Sequence, residues 1–275
     1  MLTKASIRLV TSLRQRKFRR LEGLFVAEGP RLVGELLSAF TCRELFATRE
    51  WLELHASQYP LVTIVEVTDA ELARISSLQA PQQVVALFEI PVDEASITHA
   101  IARRQGSSDD GSTATADSSH VIPDGLHIAL DGVQDPGNLG TIIRLADWFG
   151  VRHLWCSPQT ADVWNPKVVQ ATMGGIARVH VHYVDLPLFL ASLPPSLPVY
   201  GTALDGDSIW TTPLSADGII VMGNEGNGVT PEVDALCRHR LLIPNYPSGQ
   251  VTTESLNVAM ATGIVLAEFR RRTVL

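Results

Sequence analysis

Three stretches of the chain set polar side chains beside glycines directly after apolar runs. That arrangement builds a ligand site at the end of a strand. The first, LDGVQDPGNLGTIIRLADWFGV, spans residues 130–151. Its Asp135-Pro136-Gly137-Asn138 turn leads into a helical spacing. Ile142, Leu145, Ala146 and Phe149 form the expected buried stripe, and Gly150 the stop. Asn138 and Arg144 either frame a pocket at the strand end or serve as a helix cap and a surface residue. The second, VMGNEGNGVTPEV, spans residues 221–233 and bares its backbone at Gly223, Gly226 and Gly228. Glu225 there is either a water-facing turn residue or a site carboxylate. No Gly-Lys-Ser/Thr follows, and the spacing is not Gly-x-Gly-x-x-Gly, which disfavours a Walker loop and a dinucleotide-binding dehydrogenase. The third covers residues 243–272. A Pro/Gly loop leads to a cap expected at Thr252 or Thr253, then to Ser255 and Asn257 in the first helical turn, where polar residues are usually caps. Asparagine and glutamate orient hydrogen bonds, and arginine holds a permanent charge against an anion. The chemistry on offer is ligand binding at a strand end.

The elements that must position these groups alternate between two periods. From residue 124 onward, strands are expected at 126–132, 153–157, 178–184, 198–204, 218–223 and 239–244, with helices between and a last helix over 255–272. Near-continuous apolar strands alternating with helices predict an α/β fold, a mostly parallel sheet covered on both faces. The last helix is apolar on more than one side, so it is expected to be buried, in part at a subunit interface. Residues 1–90 form a separate α/β zone. Helices are expected over 31–40 and 69–78, the latter with Asp69 as cap, and strands over 61–68 and 82–90. Between the zones, residues 91–123 are expected to be a flexible linker, because RRQGSSDDGSTATADSSH has too little apolar surface to offset its ordering entropy.

Bulk properties narrow the class. The 275 residues are 45% hydrophobic, enough for a sizeable core, with no apolar run approaching a membrane span of about 20 residues. No apolar signal core follows Met1, so a secreted product is not expected. Cys42, Cys156 and Cys237 are scattered and form no metal-ligand spacing, which fits a reducing, cytoplasmic setting and requires no metal. The net charge of −7 opposes nucleic-acid binding overall, yet residues 1–20 carry Lys4, Arg8, Arg14, Arg16, Lys17, Arg19 and Arg20 and no acid. That basic end suits phosphate contact, a mitochondrial transit segment or a solvated helix face.

In order and spacing, the three stretches resemble the motifs of the SpoU-type (TrmH-like) RNA 2′-O-ribose methyltransferases of the SPOUT superfamily. The likeness rests on Asn138-Leu139-Gly140 with Arg144, on Gly223-Asn224-Glu225-Gly226, and on Ile243-Pro244 with Ser255-Leu256-Asn257-Val258. It covers residues 126–272. The basic run followed by Phe25-Val26-Ala27-Glu28-Gly29 and a helix is more loosely similar to the family's substrate-binding domain, which favours RNA contact over a transit segment. The resemblance implies a C-terminal trefoil knot, a homodimer with its active site near the subunit interface, and S-adenosylmethionine as cofactor. Thr202, Gly223, Ile243 and Leu256 match the cofactor-binding positions. Arg144 matches the catalytic arginine, and Asn138, Glu225, Ser255 and Asn257 the remaining polar site residues. One departure is the loop PNYPSGQVTTE after Ile243, longer than many members carry, which leaves its own cofactor contacts open. The implied activity is methyl transfer to a ribose 2′-hydroxyl of RNA. Ribosomal RNA is favoured by the separate N-terminal domain. A transfer-RNA enzyme and an inactive RNA-binding homologue are the alternatives.

Overall fold

The computed structural model describes residues 2–91, 122–247 and 250–273, so most of the expected linker lies outside the described residues. The chain divides into two compact units, Met1–Pro91 with Asp162–Arg178, and Val92–Ala161 with Val179–Leu275.

In the first unit, helices α1 (Lys4–Ser12), α2 (Arg16–Glu22), α3 (Pro30–Leu37), α4 (Arg49–His55) and α5 (Asp69–Ile75) accompany strands β1 (Leu24–Glu28), β2 (Cys42–Ala47), β3 (Ile64–Glu66) and β4 (Val84–Glu89). The sheet order is β1-β4-β2-β3, with β4 antiparallel to both neighbours and β3 parallel to β2. Helix α7 (Pro166–Ala171) also belongs to this unit, and Trp164 just before it packs on Phe25 with ring centroids 4.6 Å apart. The cap of α5 is Thr68 rather than Asp69. Its hydroxyl accepts from the Glu71 amide while the Glu71 carboxylate returns to the Thr68 amide, a reciprocal capping box. The basic run sorts into two kinds. Lys4, Arg8, Arg16, Lys17 and Arg20 are exposed, but Arg19 is buried, donating to the carbonyls of Leu13 (2.8 Å) and Arg14 (3.0 Å) and pairing with Asp162. Arg19 is a structural residue.

The second unit carries the parallel sheet. Its strands are β5 (Leu126–Leu130), β6 (His153–Cys156), β7 (His180–Tyr183), β8 (Val199–Ser208), β9 (Gly218–Met222) and β10 (His239–Leu242). They lie in the order β10-β8-β9-β5-β6-β7, and every pairing is parallel. Helices cover both faces. Ala129, Trp155 and Val221 pack with Leu186 and Phe189 of α8 (Leu186–Ala191). On the opposite face, Tyr200 meets Phe269 of α10 (Val258–Thr273) edge-on at 5.1 Å. Helix α6 (Pro136–Trp148) follows β5, and a short α9 (Pro231–Asp234) follows β9. Strand β8 pairs with β10 at Tyr200 and Gly201 and again at Asp207 and Ser208, so residues 202–206 bulge out of the ladder.

Helices α6 and α10 run side by side in the same direction. Asn257 meets Asn138 at their starts, Leu145 lies under Gly263, and Arg270 donates to the Phe149 carbonyl at 2.7 Å near their ends. In α6, Leu139, Ile142, Ile143 and Ala146 are buried, whereas Leu145 and Phe149 of the expected stripe are half-buried.

The amino-terminal edge of this sheet stacks histidines from adjacent strands on the Trp155 face. His127 accepts from the Trp155 indole at 3.3 Å through Nδ1, so Nε2 is its donor, to the Pro123 carbonyl at 2.8 Å. His153 Nδ1 lies 3.1 Å from His182 Nε2. Burial pushes the His153 and His182 imidazoles down to about 4, with neighbouring histidines adding to the effect, and lowers His127 as well.

Candidate active site

The polar groups meet where the loops after β5 and β9 approach the start of α10. Asp135 caps α6, accepting from the Asn138 amide at 2.9 Å, so the Asn138 side chain is not the cap and is free for other partners. It donates through Nδ2 to Glu225 Oε1 at 2.9 Å and accepts through Oδ1 from Asn257 Nδ2 at 3.0 Å. Glu225 also receives the backbone amides of Asp135 (3.4 Å) and Gln134 (3.5 Å). The carboxylate therefore faces a ring of donors contributed by the first loop.

Asn257 is both a cap and a member of this network. Helix α10 begins at Val258, later than the sequence pattern predicts. Asn257 Oδ1 caps it by accepting from the amides of Ala259 (3.0 Å) and Met260 (3.2 Å). Neither Thr252 nor Thr253 is the cap. Ser255 and Leu256 lie in the loop that leads into the helix, both exposed.

Gly223 of the second loop is there for lack of room. A Cβ on Gly223 would stand 2.2 Å from the Gly228 carbonyl carbon and 2.3 Å from the Val229 nitrogen. The backbone folds on itself at that point, so only glycine fits.

Beside the polar network opens a cavity of about 600 Å³. All four residues matched to cofactor binding, Thr202, Gly223, Ile243 and Leu256, line it, as do Glu225 and Ser255. Its size and mixed lining, bare loop backbone next to aliphatic side chains, suit a nucleoside-sized ligand. Thr202 is held to the Val221 carbonyl at 3.0 Å, which keeps the β8 bulge at the rim. Asn138 and Asn257 lie outside the lining, linked to it through Glu225. Arg144 does not line the cavity. It is exposed on α6, six residues beyond Asn138, and has no hydrogen-bonding or ionic partner within the chain among the described residues. The residues 248–249 of the longer loop lie outside the described residues.

Sequence reasoning passed over three groups of this site. Asp135 is the cap, Asn224 donates to the Gly132 carbonyl at 2.7 Å, and Asp131 accepts from both Thr230 N and Thr230 Oγ1 at 2.7 Å. Each lies in or beside a quoted stretch, but nothing in one sequence tells a tie between loops from a turn residue. Among the described residues, no group of three or more His, Cys, Asp or Glu side chains is placed to hold a metal, and no helix is long and apolar enough to cross a membrane.

Comparison with known proteins places this arrangement. The model of the SpoU rRNA Methylase family matches residues 125–267, and that of the MRM3-like substrate binding domain matches residues 4–86. The 23S rRNA (guanosine(2553)-2′-O)-methyltransferase RlmP of Bacillus subtilis is 28% identical over 260 residues, 94% of this chain and 93% of its own. A TrmH-family structure from Porphyromonas gingivalis is 39% identical with a TM-score of 0.78 and 99% of both chains covered. An AdoMet-bound rRNA methyltransferase from Sinorhizobium meliloti is 27% identical with a TM-score of 0.77, covering 99% of this chain and 96% of that one.

Proposed function

Because the chain belongs to the SpoU rRNA Methylase family, we propose that it transfers a methyl group from S-adenosylmethionine to a ribose 2′-hydroxyl of ribosomal RNA. The observation that carries the reading is the Asn257–Asn138–Glu225 network at the edge of the cavity, fixed at the carboxyl ends of β5 and β9.

S-adenosylmethionine, when bound, supplies an electrophilic methyl on a sulfonium. The chain's part is to hold it and to aim the hydroxyl. Thr202, Gly223, Ile243 and Leu256 would hold the cofactor through exposed backbone and aliphatic contact. Glu225 fixes the Asn138 amide, and Asn138 with Asn257 orients the ribose. A guanidinium is a donor and a fixed positive charge, not a base, so the role of Arg144 is electrostatic. It clamps phosphate and the oxygen as charge develops there, and the hydroxyl proton leaves to phosphate or water. Ser255, at the cavity edge, completes the hydrogen bonds.

The remaining parts of the reading concern assembly. The N-terminal unit docks the RNA, with the exposed Lys4, Arg8, Arg16, Lys17 and Arg20 meeting phosphates. The C-terminal segment follows the trefoil path of the family. Two copies pair across the exposed face of α6 and α10, where Trp148 is 84% and Met260 64% exposed on the same pair of helices that bears Arg144. The enzyme acts in the cytoplasm.

The test joins chemistry to substrate. Arg144→Ala should abolish transfer while S-adenosylmethionine still binds, and wild-type turnover in that variant would sink the assignment. Mapping of ribose methylation in cells with and without the gene should reveal one missing rRNA site. A missing site in transfer RNA would redirect the substrate, and no missing site would count against an active enzyme.

A further inference from the structure

Asn224 has no role in the reading above, yet both ends of its side chain are engaged. Nδ2 donates to the Gly132 carbonyl at 2.7 Å, and Oδ1 accepts from the amides of Gly226 (2.9 Å) and Asn227 (3.1 Å). The main chain closes the same turn, with Asn224 N to Gly228 O at 2.8 Å and Gly228 N to Asn224 O at 2.9 Å. An asparagine accepting from amides two and three residues on is an Asx turn, which sets the backbone of the residue between. That residue is Glu225.

Glu225 is exposed, and an exposed carboxylate has many rotamers and much water to choose from. Its link to Asn138 at 2.9 Å needs its main chain delivered to one place. Asn224 does so by two means at once. Oδ1 shapes the turn, and Nδ2 pins that turn to the loop bearing Asp135 and Asn138. Gly132, the acceptor, has φ +71°, a left-handed conformation that turns the chain just ahead of that loop.

A second tie joins the same two loops and serves as an internal comparison. Thr230 donates from N and Oγ1 to the buried Asp131 carboxylate, both at 2.7 Å. It lies beyond the closed turn and does not touch Glu225, and Thr230 itself is not part of the cavity lining, although its neighbours Val229 and Pro231 are. If tying the loops together were all that mattered, the two would be equivalent.

We propose that Asn224 is a positioning residue for methyl transfer, acting through Glu225 by anchoring its turn to the Gly132 carbonyl. The proposal rests on the functional reading above. Asn224→Asp keeps the acceptor for the two amides but turns an oxygen toward the Gly132 carbonyl in place of a donor. Asn224→Ser keeps a hydroxyl for the turn and is too short for the anchor, and it substitutes should the aspartate variant not fold. Thr230→Val removes one hydrogen bond of the comparison tie.

The experiment measures three things on the full chain. These are kcat and KM for RNA at saturating S-adenosylmethionine, Tm, and the side-chain amide resonances of Asn138 in ¹⁵N-labelled protein. In the Asn224 variants kcat should fall about tenfold or more with KM little changed, as misplacement of catalytic groups predicts. The Asn138 resonances should shift. Thr230→Val should lower Tm yet leave kcat and those resonances as in the wild type. Unmoved Asn138 resonances in both Asn224 variants, or an equal loss of kcat in Thr230→Val, would overturn the proposal. A wild type that transfers nothing to RNA strikes the functional reading instead, and the resonances still decide the role of Asn224.

Discussion

Asn257 caps α10 with one side-chain atom and reaches the polar network with the other. The two duties can be separated by one substitution. In Asn257→Asp an oxygen still accepts from the Ala259 and Met260 amides, and its negative charge suits a helix start. The other oxygen faces Asn138 Oδ1, where a donor stood at 3.0 Å. Tm should hold or rise slightly, while methyl transfer falls by about tenfold or more for the lost charge-free donor. Asn257→Ala should lose both, with about 1 kcal/mol of stability gone with the cap. Equilibrium unfolding measured beside single-turnover transfer makes the comparison. Undiminished transfer in the aspartate variant would mean that Asn257 is a cap and nothing more. The prediction bears on a general ambiguity, since a polar residue at a helix start reads identically in sequence whether it caps or binds.

Elements were legible in proportion to how far their signal is local. All six parallel strands stand where apolar β-branched runs predict them, within a few residues, because strands buried on both faces need such runs. Strands β1 and β2 carry no comparable signal. β1 follows directly on a basic helix across Gly23, and β2 sets Arg43 and Glu44 side by side ahead of Leu45, Phe46 and Ala47, so their pairing with β4 is decided by tertiary contact. The placing of Asp162–Arg178 with the N-terminal unit is also tertiary. At the site, the motif residues were legible as a set, but which of Asp135 and Asn138 caps α6 depends on a turn geometry that sequence leaves open. The histidine edge of β5, β6 and β7 was not legible at all, because His127, His153, His180 and His182 are brought together only by register. It carries a prediction of its own. The folded-state affinity of His127, His153 and His182 for protons is depressed, so the unfolded chain binds protons first as pH falls. Stability is full above about pH 6.5, the ordinary imidazole value, and is lost progressively as pH falls toward about 4, where His153 and His182 titrate in the fold. Between pH 7.5 and 5.5 urea unfolding should register a loss of about 1 to 2 kcal/mol from that pair, the share of the less buried His153 being reduced by solvent screening. His182→Phe, which keeps an aromatic ring against Trp155, should remove about half of that slope. A slope unchanged in the variant would assign the acid sensitivity elsewhere.

At the scale of the whole molecule the unresolved tension is between Arg144 and the cavity. The arginine matched to catalysis does not line the cavity and has no partner within its own chain among the described residues. Its surroundings suggest where a partner comes from. Trp148, one helical turn on along α6, is 84% exposed, and Met260 on the neighbouring α10 is 64% exposed, with Ala267 exposed two turns further along. Isolated exposed apolar residues need no explanation, but an exposed tryptophan and an exposed methionine on adjacent parallel helices make this helix pair the face to test for association. If two copies pair there by a twofold axis, each copy's Arg144 lies at the interface and can serve the other's site. Two outcomes follow. The wild type should then sediment at twice the mass of the 29.9 kDa chain, and the double variant Trp148→Glu, Met260→Glu, with both changes on exposed positions, as the single chain. That variant should also lose transfer. Mixing then tells partner from self. Arg144→Ala and Glu225→Gln should each be inactive as homodimers. If Arg144 acts across the interface, a mixed dimer holds one site with both residues intact, and random pairing of equal amounts should restore about a quarter of wild-type activity. If Arg144 serves its own chain, every site in the mixture lacks one residue and activity stays absent. A monomeric wild type, or a dimer unaffected by the two glutamates, would remove the interface from this face and leave Arg144 to reach the cavity by movement within one chain.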